Sequence, residues 1–558
     1  MEWFIRTFNQ LPTQAQPIIA HFRVTLANVA RHPSRDYFIR KSTLINNLYG
    51  VDIMKEAVEI CKLRLFLKII APITDIHQIE PLPDIDFNFR AGNTLVGFAS
   101  HAAVRRMITG DVQGKLDLGD NMQQIDNRAE AADRLFQQFR AMQIVLVTDA
   151  EQLAAKKREL RQALNTLSFE LDRYLAGEYG IPSADGPDNQ RQYEGWRNTH
   201  QPFQWYAEFY GILQQGGFDV IIGNPPYVMH SKIRHEYNIR DYRTEPCGNL
   251  YAFVMERSLA LLREHGRCGM ILPIASVSTG GMRELQALYD TTFQWHSHYA
   301  VRPGKLFAGV DMNLTISLFQ KTSHAGRGFT TKYHRWSNGK NSNRQHLFTT
   351  LTYVNNPDFS TNANTFPKLG SEVEINILSK MLTHGRKLRQ YVVPSGTTLY
   401  YHSGGRYWRK ALPSKLSSHY KPITIQSTLS SVVFALLNSQ LFYWYWISNS
   451  NCMDLVSREV LELPVFPLTN ADVMRFAKLE QHLLSAYYKS STTRLRQGER
   501  ISVEEINFDV QQAKPLIDEI DHLLAENYGL SEDELDFILN YDIKFRVSQE
   551  EFIEEVDR

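Results

Sequence analysis

FDVIIGNPPY, Phe218 to Tyr227, places a mostly apolar run between Gly217 and a pair of prolines, which marks a strand that ends in a stiff loop. In an open α/β sheet, ligands bind at loops on the carboxyl ends of strands. Pro225 and Pro226 stiffen this loop and remove two backbone donors. Asn224, preceding a proline, is pushed toward extended backbone, so its amide projects instead of starting a helix. Its side-chain oxygen and the Pro225 carbonyl are two acceptors. Together they suffice to hold both hydrogens of an exocyclic amine and aim its lone pair at an electrophile, with Tyr227 stacked on the ring. A base reached in this way must leave the duplex. The plainer reading of the same string is a tight proline turn with an exposed tyrosine.

Strand-and-helix signals flank this loop. LINNLYGVDIMKEAVEICKLRLFLKII, Leu44 to Ile70, has a short apolar run ending in an acid at Asp52 and then a strongly apolar helical segment, the start of a βα unit. GRCGMILP, Gly266 to Pro273, follows the helix-like NLYAFVMERSLALLREH and precedes a helix-like stretch from Thr279 to Asp290. The alternation predicts an α/β fold with a doubly wound sheet. Leu153, Leu160, Leu164, Leu167, Leu171 and Leu175 step by sevens, threes and fours, the seam of a helical hairpin or coiled coil, and predict a helical insertion. The expected division is therefore 1–100 and 214–325 for the two parts of the α/β domain and 101–213 for the insertion. A mixed α+β region follows over 326–470, which the resemblance given below implies is a DNA target-recognition domain, and an acidic helical C-terminal region over 471–558. Two capping-box signatures, Ser502 to Glu505 and Ser531 to Glu534, lie in that last region.

With 558 residues, 43% hydrophobic and 22% charged, the chain has material for three or four globular domains, and its composition excludes disorder. A net charge of +1, from 61 Lys plus Arg against 60 Asp plus Glu, hides strong local imbalance. Between Glu374 and Asp454 stand nine basic residues and no acid, interleaved with Tyr400, Tyr401, Tyr407, Trp408 and Tyr420. Phosphate contact plus groove reading requires such a mixture, and Arg386, Lys387, Arg389, Arg406, Arg409 and Lys410 are the candidate DNA contacts. A solvated basic face is the bland account. From Ile501 to Arg558 there are 17 acids against 4 basic residues, a tail that DNA would repel. The run Phe442 to Trp446 reads as core packing before nucleotide stacking. Four cysteines without C-x-x-C spacing suggest neither zinc nor disulfides, and His296 and His298 lack a third ligand nearby. No phosphate-loop motif is present. Without a signal-peptide pattern or a membrane-length apolar run, a cytoplasmic protein is expected.

FDVIIGNPPYV resembles motif IV of the adenine-specific (N6) DNA methyltransferases, and the resemblance runs from about residue 30 to the C-terminus. The similarity is to the type IIG restriction-modification and phage-defence (BREX-like) methylases. NNLYGVDIMKEAVEICKLRLFLKI is similar to their motif II, which implies Asp52 on the ribose hydroxyls of S-adenosylmethionine and Ile53 against its adenine. FNFRAGNTLVGF, Phe87 to Phe98, is similar to motif III and implies Asn93 near the cofactor adenine, with Thr94 and Leu95 in the pocket wall. KLFAGVDMNLTISLFQK, Lys305 to Lys321, resembles the motif VIII hairpin, which implies Phe307 stacked on the flipped base opposite Tyr227. ALLNSQLFYWYWISNSN and LELPVFPL resemble the target-recognition regions. The implied activity is methyl transfer from S-adenosylmethionine to the exocyclic amine of adenine in duplex DNA, with Asn224, Pro225, Pro226 and Tyr227 as the catalytic loop. The family's Gly-rich motif I has no counterpart. The sole Gly-x-Gly is Gly326-Arg327-Gly328, in a basic loop, and the chain starts as if cut after motif I. The alternative is a catalytically silent DNA-binding fragment, or a subunit whose partner or N-terminal segment supplies that loop. With neither a P-D…E-x-K constellation nor an H-N-H cluster, no cleavage activity is expected.

Overall fold

The computed structural model describes residues 29, 32–75, 80–110, 118–144, 149–182, 186–324, 326–336, 346–355, 366–404, 407–497 and 502–547. The chain divides into two compact units, Met1–Phe218 with His230–Tyr242, and Asp219–Met229 with Arg243–Arg558.

In the first unit, α1 (Arg35–Asn47) leads into β1 (Gly50–Asp52), and α2 (Lys55–Ile70) follows at once. Leu44 and Ile45, which open the apolar run, are buried in α1, so the strand keeps only the last three residues before the loop. β1 pairs in parallel with β2 (Phe89–Ala91), Asp52 opposite Ala91. A pair this short needs helices to bury it, and Leu44, Val58, Ile69, Ile85 and Phe89 form the shared cluster. The stepping leucines lie on α4 (Ala150–Glu178). Leu160, Leu164, Leu167, Leu171 and Leu175 are buried there, against Ile125, Ala129, Ala132, Phe136 and Phe139 of α3 (Leu118–Ile144). α5 (Pro187–His200) adds Tyr193 and Trp196 to the same core. The buried Asp172 of α4 accepts from Arg197 Nε and Gln204 Nε2, both at 2.9 Å.

The second unit carries a six-stranded sheet in the order β3-β4-β6-β5-β7-β8. Its strands are β3 (Phe218–Gly223), β4 (Leu262–Pro273), β5 (Thr292–Tyr299), β6 (Leu314–Lys321), β7 (Gly328–His334) and β8 (Val354–Asn355). β6 runs antiparallel to β4 and β5, and β7 runs parallel to β5. The class is mixed α/β, with the strands divided between a parallel pair in one unit and this sheet in the other. Cys268, Met270, Leu272, Ser317, Phe319, His296 and His298 are buried on one face. His296 meets Ser317 Oγ and Gln294 Oε1, each at 2.9 Å, and His298 Nε2 meets Thr330 Oγ1 at 3.0 Å. These histidines are core members, and burial drives His296 down to about 3.

Beyond the sheet come α6 (Glu372–Thr383) and the antiparallel sheet β10-β9-β11, formed by β9 (Val392–His402), β10 (Ala411–Leu412) and β11 (Tyr420–Ile425). Helices α7 (Ser430–Asn438), α8 (Gln440–Asn449) and α9 (Asn470–Lys489) follow. Phe442, Tyr443, Trp444, Tyr445 and Trp446 are all buried in α8, so that aromatic run is packing. Of the two expected capping boxes, one forms. The Ser531 hydroxyl accepts from Glu534 N and the Glu534 carboxylate accepts from Ser531 N, opening α11 (Glu532–Asn540) after α10 (Lys514–Tyr528). Ser502 instead starts β13 (Ser502–Phe508), which pairs with β12 (Ser491–Gln497). The β-branched Val503 and Ile506 and a ready hairpin partner outweigh the local cap signal there. Among the described residues no helix is long and apolar enough to cross a membrane.

Burial lifts the Asp172 carboxyl from its ordinary 3.8 to about 6, against the opposing pull of Gln204 and Arg197. The folded unit therefore favours the protonated acid, and stability falls as pH rises from about 4 through 6. Amide exchange along α4, corrected for intrinsic rates, is expected to quicken over that interval, and Asp172→Asn is expected to abolish the dependence.

Candidate active site

The loop after β3 belongs to the second unit. Gly223 ends the strand close to β4, where a Cβ would stand 3.0 Å from Met270 Sδ. Asn224 and Pro226 are exposed, Pro225 is buried and Tyr227 is half-buried. The Tyr227 hydroxyl lies 2.7 Å from Asn224 Oδ1 and 3.0 Å from the Ile271 carbonyl. Leu250 N donates to the Val228 carbonyl at 2.9 Å and ties down the loop's far side. Tyr227 and Phe307 both pack on the cluster of Tyr299, Leu306, Leu314 and Trp336. The two rings, 80 residues apart along the chain, thus border one apolar cluster. Asn313 secures the end of the Phe307 segment: its Oδ1 accepts from Val301 N and Tyr333 Oη, and its Nδ2 donates to the Asn451 carbonyl.

Asp52, Ile53, Asn93, Thr94 and Leu95 gather in the first unit, at the carboxyl ends of two parallel strands. Asp52 is exposed, with one carboxylate oxygen accepting from Met54 N at 2.8 Å. The Asp52 carbonyl accepts from Gly92 N at 2.9 Å, which sets Asn93 beside it across the strand pair. Asn93 is buried. Its Oδ1 accepts from Leu95 N, its backbone N–H donates to the Gln201 carbonyl at 2.7 Å, and its Nδ2 meets no hydrogen-bond partner among the described residues. Trp205 Nε1 donates to the Thr94 carbonyl and Tyr242 Oη to the Leu95 carbonyl. Gly97 lets this loop and the 201–206 segment close up, since φ is +141° and a Cβ would stand 2.0 Å from the Phe203 carbonyl oxygen. Gln201, Trp205 and Tyr242 brace the loop from more than 100 residues away, a relation that no local spacing encodes.

The candidate DNA contacts are not alike. Arg386 is exposed. Lys387 and Arg389 both pair with Glu462, an acid lying just beyond the acid-free stretch. Arg409 is 2% exposed, with its guanidinium 3.4 Å above the Trp446 ring and Nη1 donating to the Gly404 carbonyl at 3.0 Å. Burial pulls Arg409 down to about 10. A side chain so enclosed is a packing element and offers nothing to a duplex. Lys410 is half-buried, 5.4 Å over the Phe508 ring, and Arg406 lies outside the described residues. Lys415 and Lys421, in the same stretch, are exposed.

Comparison with known proteins finds likenesses over part of the chain. A family model described as Eco57I restriction-modification methylase matches residues 46–299. A Methanocaldococcus jannaschii protein, provisionally named a type II restriction enzyme and methyltransferase, is 28% identical over 268 residues, 42% of this chain and 22% of that protein. The match thus spans about a fifth of that relative's length. Among solved structures, the type IIL restriction-modification enzyme MmeI in complex with DNA aligns at 9% identity over 59% of this chain and 57% of its own, with TM-score 0.34. A nuclease-deletion mutant of the type ISP enzyme LlaGI, with a DNA substrate mimic, aligns at 10% over 61% and 49%, with TM-score 0.30. Superpositions this loose bear on neither fold nor function. The matched residues 46–299 hold Asp52, Asn93 and the whole Asn224 to Tyr227 loop, so it is this part of the chain that is similar to the Eco57I restriction-modification methylases.

Proposed function

We propose that the chain transfers a methyl group from S-adenosylmethionine to the exocyclic amine of adenine in duplex DNA, at specific sites, within a restriction-modification or phage-defence system. One observation carries the reading: the Asn224 acceptor stands beside Tyr227, which shares an apolar cluster with Phe307.

The donor set of the first unit suits an adenosyl group. Asp52 keeps acceptor capacity for ribose hydroxyls, and the unpartnered, buried Asn93 Nδ2 is a donor suited to a ring nitrogen. Ile53, Thr94 and Leu95 would line the same pocket. S-adenosylmethionine, when bound, supplies a methyl group made electrophilic by its sulfonium. Asn224 Oδ1 and the Pro225 carbonyl accept the two amine hydrogens and keep electron density on the nitrogen. Pro226 holds the loop extended, and Tyr227 and Phe307 sandwich the flipped ring. Arg386, Lys415 and Lys421 are the exposed cations assigned to the phosphate backbone.

A second reading keeps these residues and takes the cofactor loop from another polypeptide or segment. It draws on the outer position of β3 in its sheet, where Val220 and Ile222 are 59% and 80% exposed. Titration with labelled cofactor separates the two, since the absence of both cofactor binding and N6-methyladenine formation by the isolated chain would sink the first reading.

Asn224→Ala is expected to lower methyl transfer at least ~100-fold with cofactor affinity unchanged, and Asp52→Ala to weaken cofactor binding about 10- to 100-fold. Both are checked by single-turnover transfer and equilibrium dialysis. Replacing Arg386, Lys415 and Lys421 together by alanine is expected to lower the salt slope of DNA binding by about 2 to 3. Arg409→Ala is expected to leave that slope alone and to cost about 1–3 kcal/mol of stability, read by urea unfolding.

A further inference from the structure

Phe307 sits in the loop between β5 and β6. Those strands pair as far as Tyr299 opposite Leu314, so residues 300–313 leave the sheet and return to it at neighbouring points. A loop of that length has wide freedom unless side chains tie it down. Asn313, buried at the loop's neck, makes such ties. Its Oδ1 accepts from Val301 N at 2.9 Å and from Tyr333 Oη at 2.8 Å, while its Nδ2 donates to the Asn451 carbonyl at 2.8 Å. Its own carbonyl accepts from Ile274 N, just past β4, at 2.9 Å. Two acceptor sites and one donor on a single short planar group are what a carboxamide supplies. An aspartate would keep the acceptors and set another acceptor against the Asn451 carbonyl.

Asn451 is itself held, in the turn that follows α8. The buried Lys368 reaches the end of that helix, where its Nζ donates to the Ser448 carbonyl at 3.0 Å and the Ser450 carbonyl at 2.5 Å. The negative end of a helix dipole favours a cation there. Ser450 Oγ accepts from Cys452 N and Asn451 Oδ1 from Met453 N, both at 3.0 Å. Between them Cys452 takes a left-handed φ of +58°, a conformation that persists in a side-chain-bearing residue only where its surroundings over-determine it. The carbonyl that Asn313 grips is thus fixed relative to α8.

We infer that Asn313 is a positioning residue, which transmits the fixed geometry of α8 and its following turn to the Phe307 loop, so that the ring is placed for stacking before a base arrives. This deepens the methylation reading, and rests on it for what the ring does. Where the ring stands follows from the bonds of Asn313.

The test places 4-fluorophenylalanine at position 307 of the whole chain and follows its fluorine resonance without DNA. Asn313→Asp is expected to displace or broaden the line. Tyr333→Phe removes one donor to Oδ1 and adds no charge, so it is expected to do the same to a smaller extent, and it carries the comparison should the first variant not fold. In single-turnover methyl transfer to mixed-sequence, adenine-containing duplex, Asn313→Asp is expected to be slower by about 10- to 100-fold, with cofactor and DNA affinities kept. A line that stays in place in the folded variants overturns the inference, and so does a displaced line with transfer at the wild-type rate. A wild-type chain that transfers no methyl group sinks the methylation reading alone, and the fluorine line then decides whether Asn313 sets the ring.

Discussion

Helix α8 is the least free element of the second unit, because nine of its ten residues are buried. Burial on every side removes water as a partner, so the protein must satisfy its ring donors and first amides itself. Each partner comes from a different place. Trp444 Nε1 donates to Glu374 of α6 at 3.1 Å, Trp446 Nε1 to Glu459 at 2.9 Å, and Tyr445 Oη to the Glu462 carbonyl at 3.3 Å. The amides of Gln440 and Leu441 both donate at 3.0 Å to Asp521 of α10. Desolvation pushes Asp521 up to about 7, while two main-chain donors and the helix dipole pull the other way. Each donor left unpaired would cost about 1–3 kcal/mol, so these bonds fix where the surrounding helices sit.

The same packing explains where the acidic tail goes. Arg335 meets Asp542 at 3.1 Å, Lys380 meets Glu534 at 2.6 Å, and Arg475 pairs with Glu526. Lys380 comes from the acid-free stretch and Glu534 from the tail. The two charged segments that look independent along the chain are therefore complementary in part. The basic stretch offers less to a duplex than its count of cations suggests, because Lys380, Lys387 and Arg389 are paired and Arg409 is enclosed.

What was legible in the sequence is what short-range chemistry determines. The strand before Asn224 is marked by its apolar run and its prolines, the leucine seam of α4 by spacing, and the Ser531 cap by a four-residue pattern. Illegible features depend on partners far along the chain. Glu462 neutralises Lys387 from 75 residues away, and Trp446 covers Arg409. A strand partner also turned Ser502 from a cap into the start of a strand. The site divides in the same manner. The string that marks the loop after β3 is legible residue by residue, whereas the main-chain braces of the Asn93 loop, the Gln201 carbonyl among them, are not, because a main-chain acceptor leaves no mark in side-chain identity.

The two groups of candidate residues, one in each unit, are built to different tolerances, and the difference follows from what each would hold. The Asn93 loop is fixed by main-chain bonds to Gln201, Trp205 and Tyr242 and by a glycine that admits no side chain. Such a loop presents its free donor in one place, as suits a small ligand bound by fixed hydrogen bonds. Asn224 instead is exposed and accepts from the Tyr227 hydroxyl at 2.7 Å. A nucleotide swung out of a duplex needs a site that opens to admit it and closes on its faces. An exposed acceptor held by a side-chain hydroxyl suits that demand, because such a contact breaks at little cost.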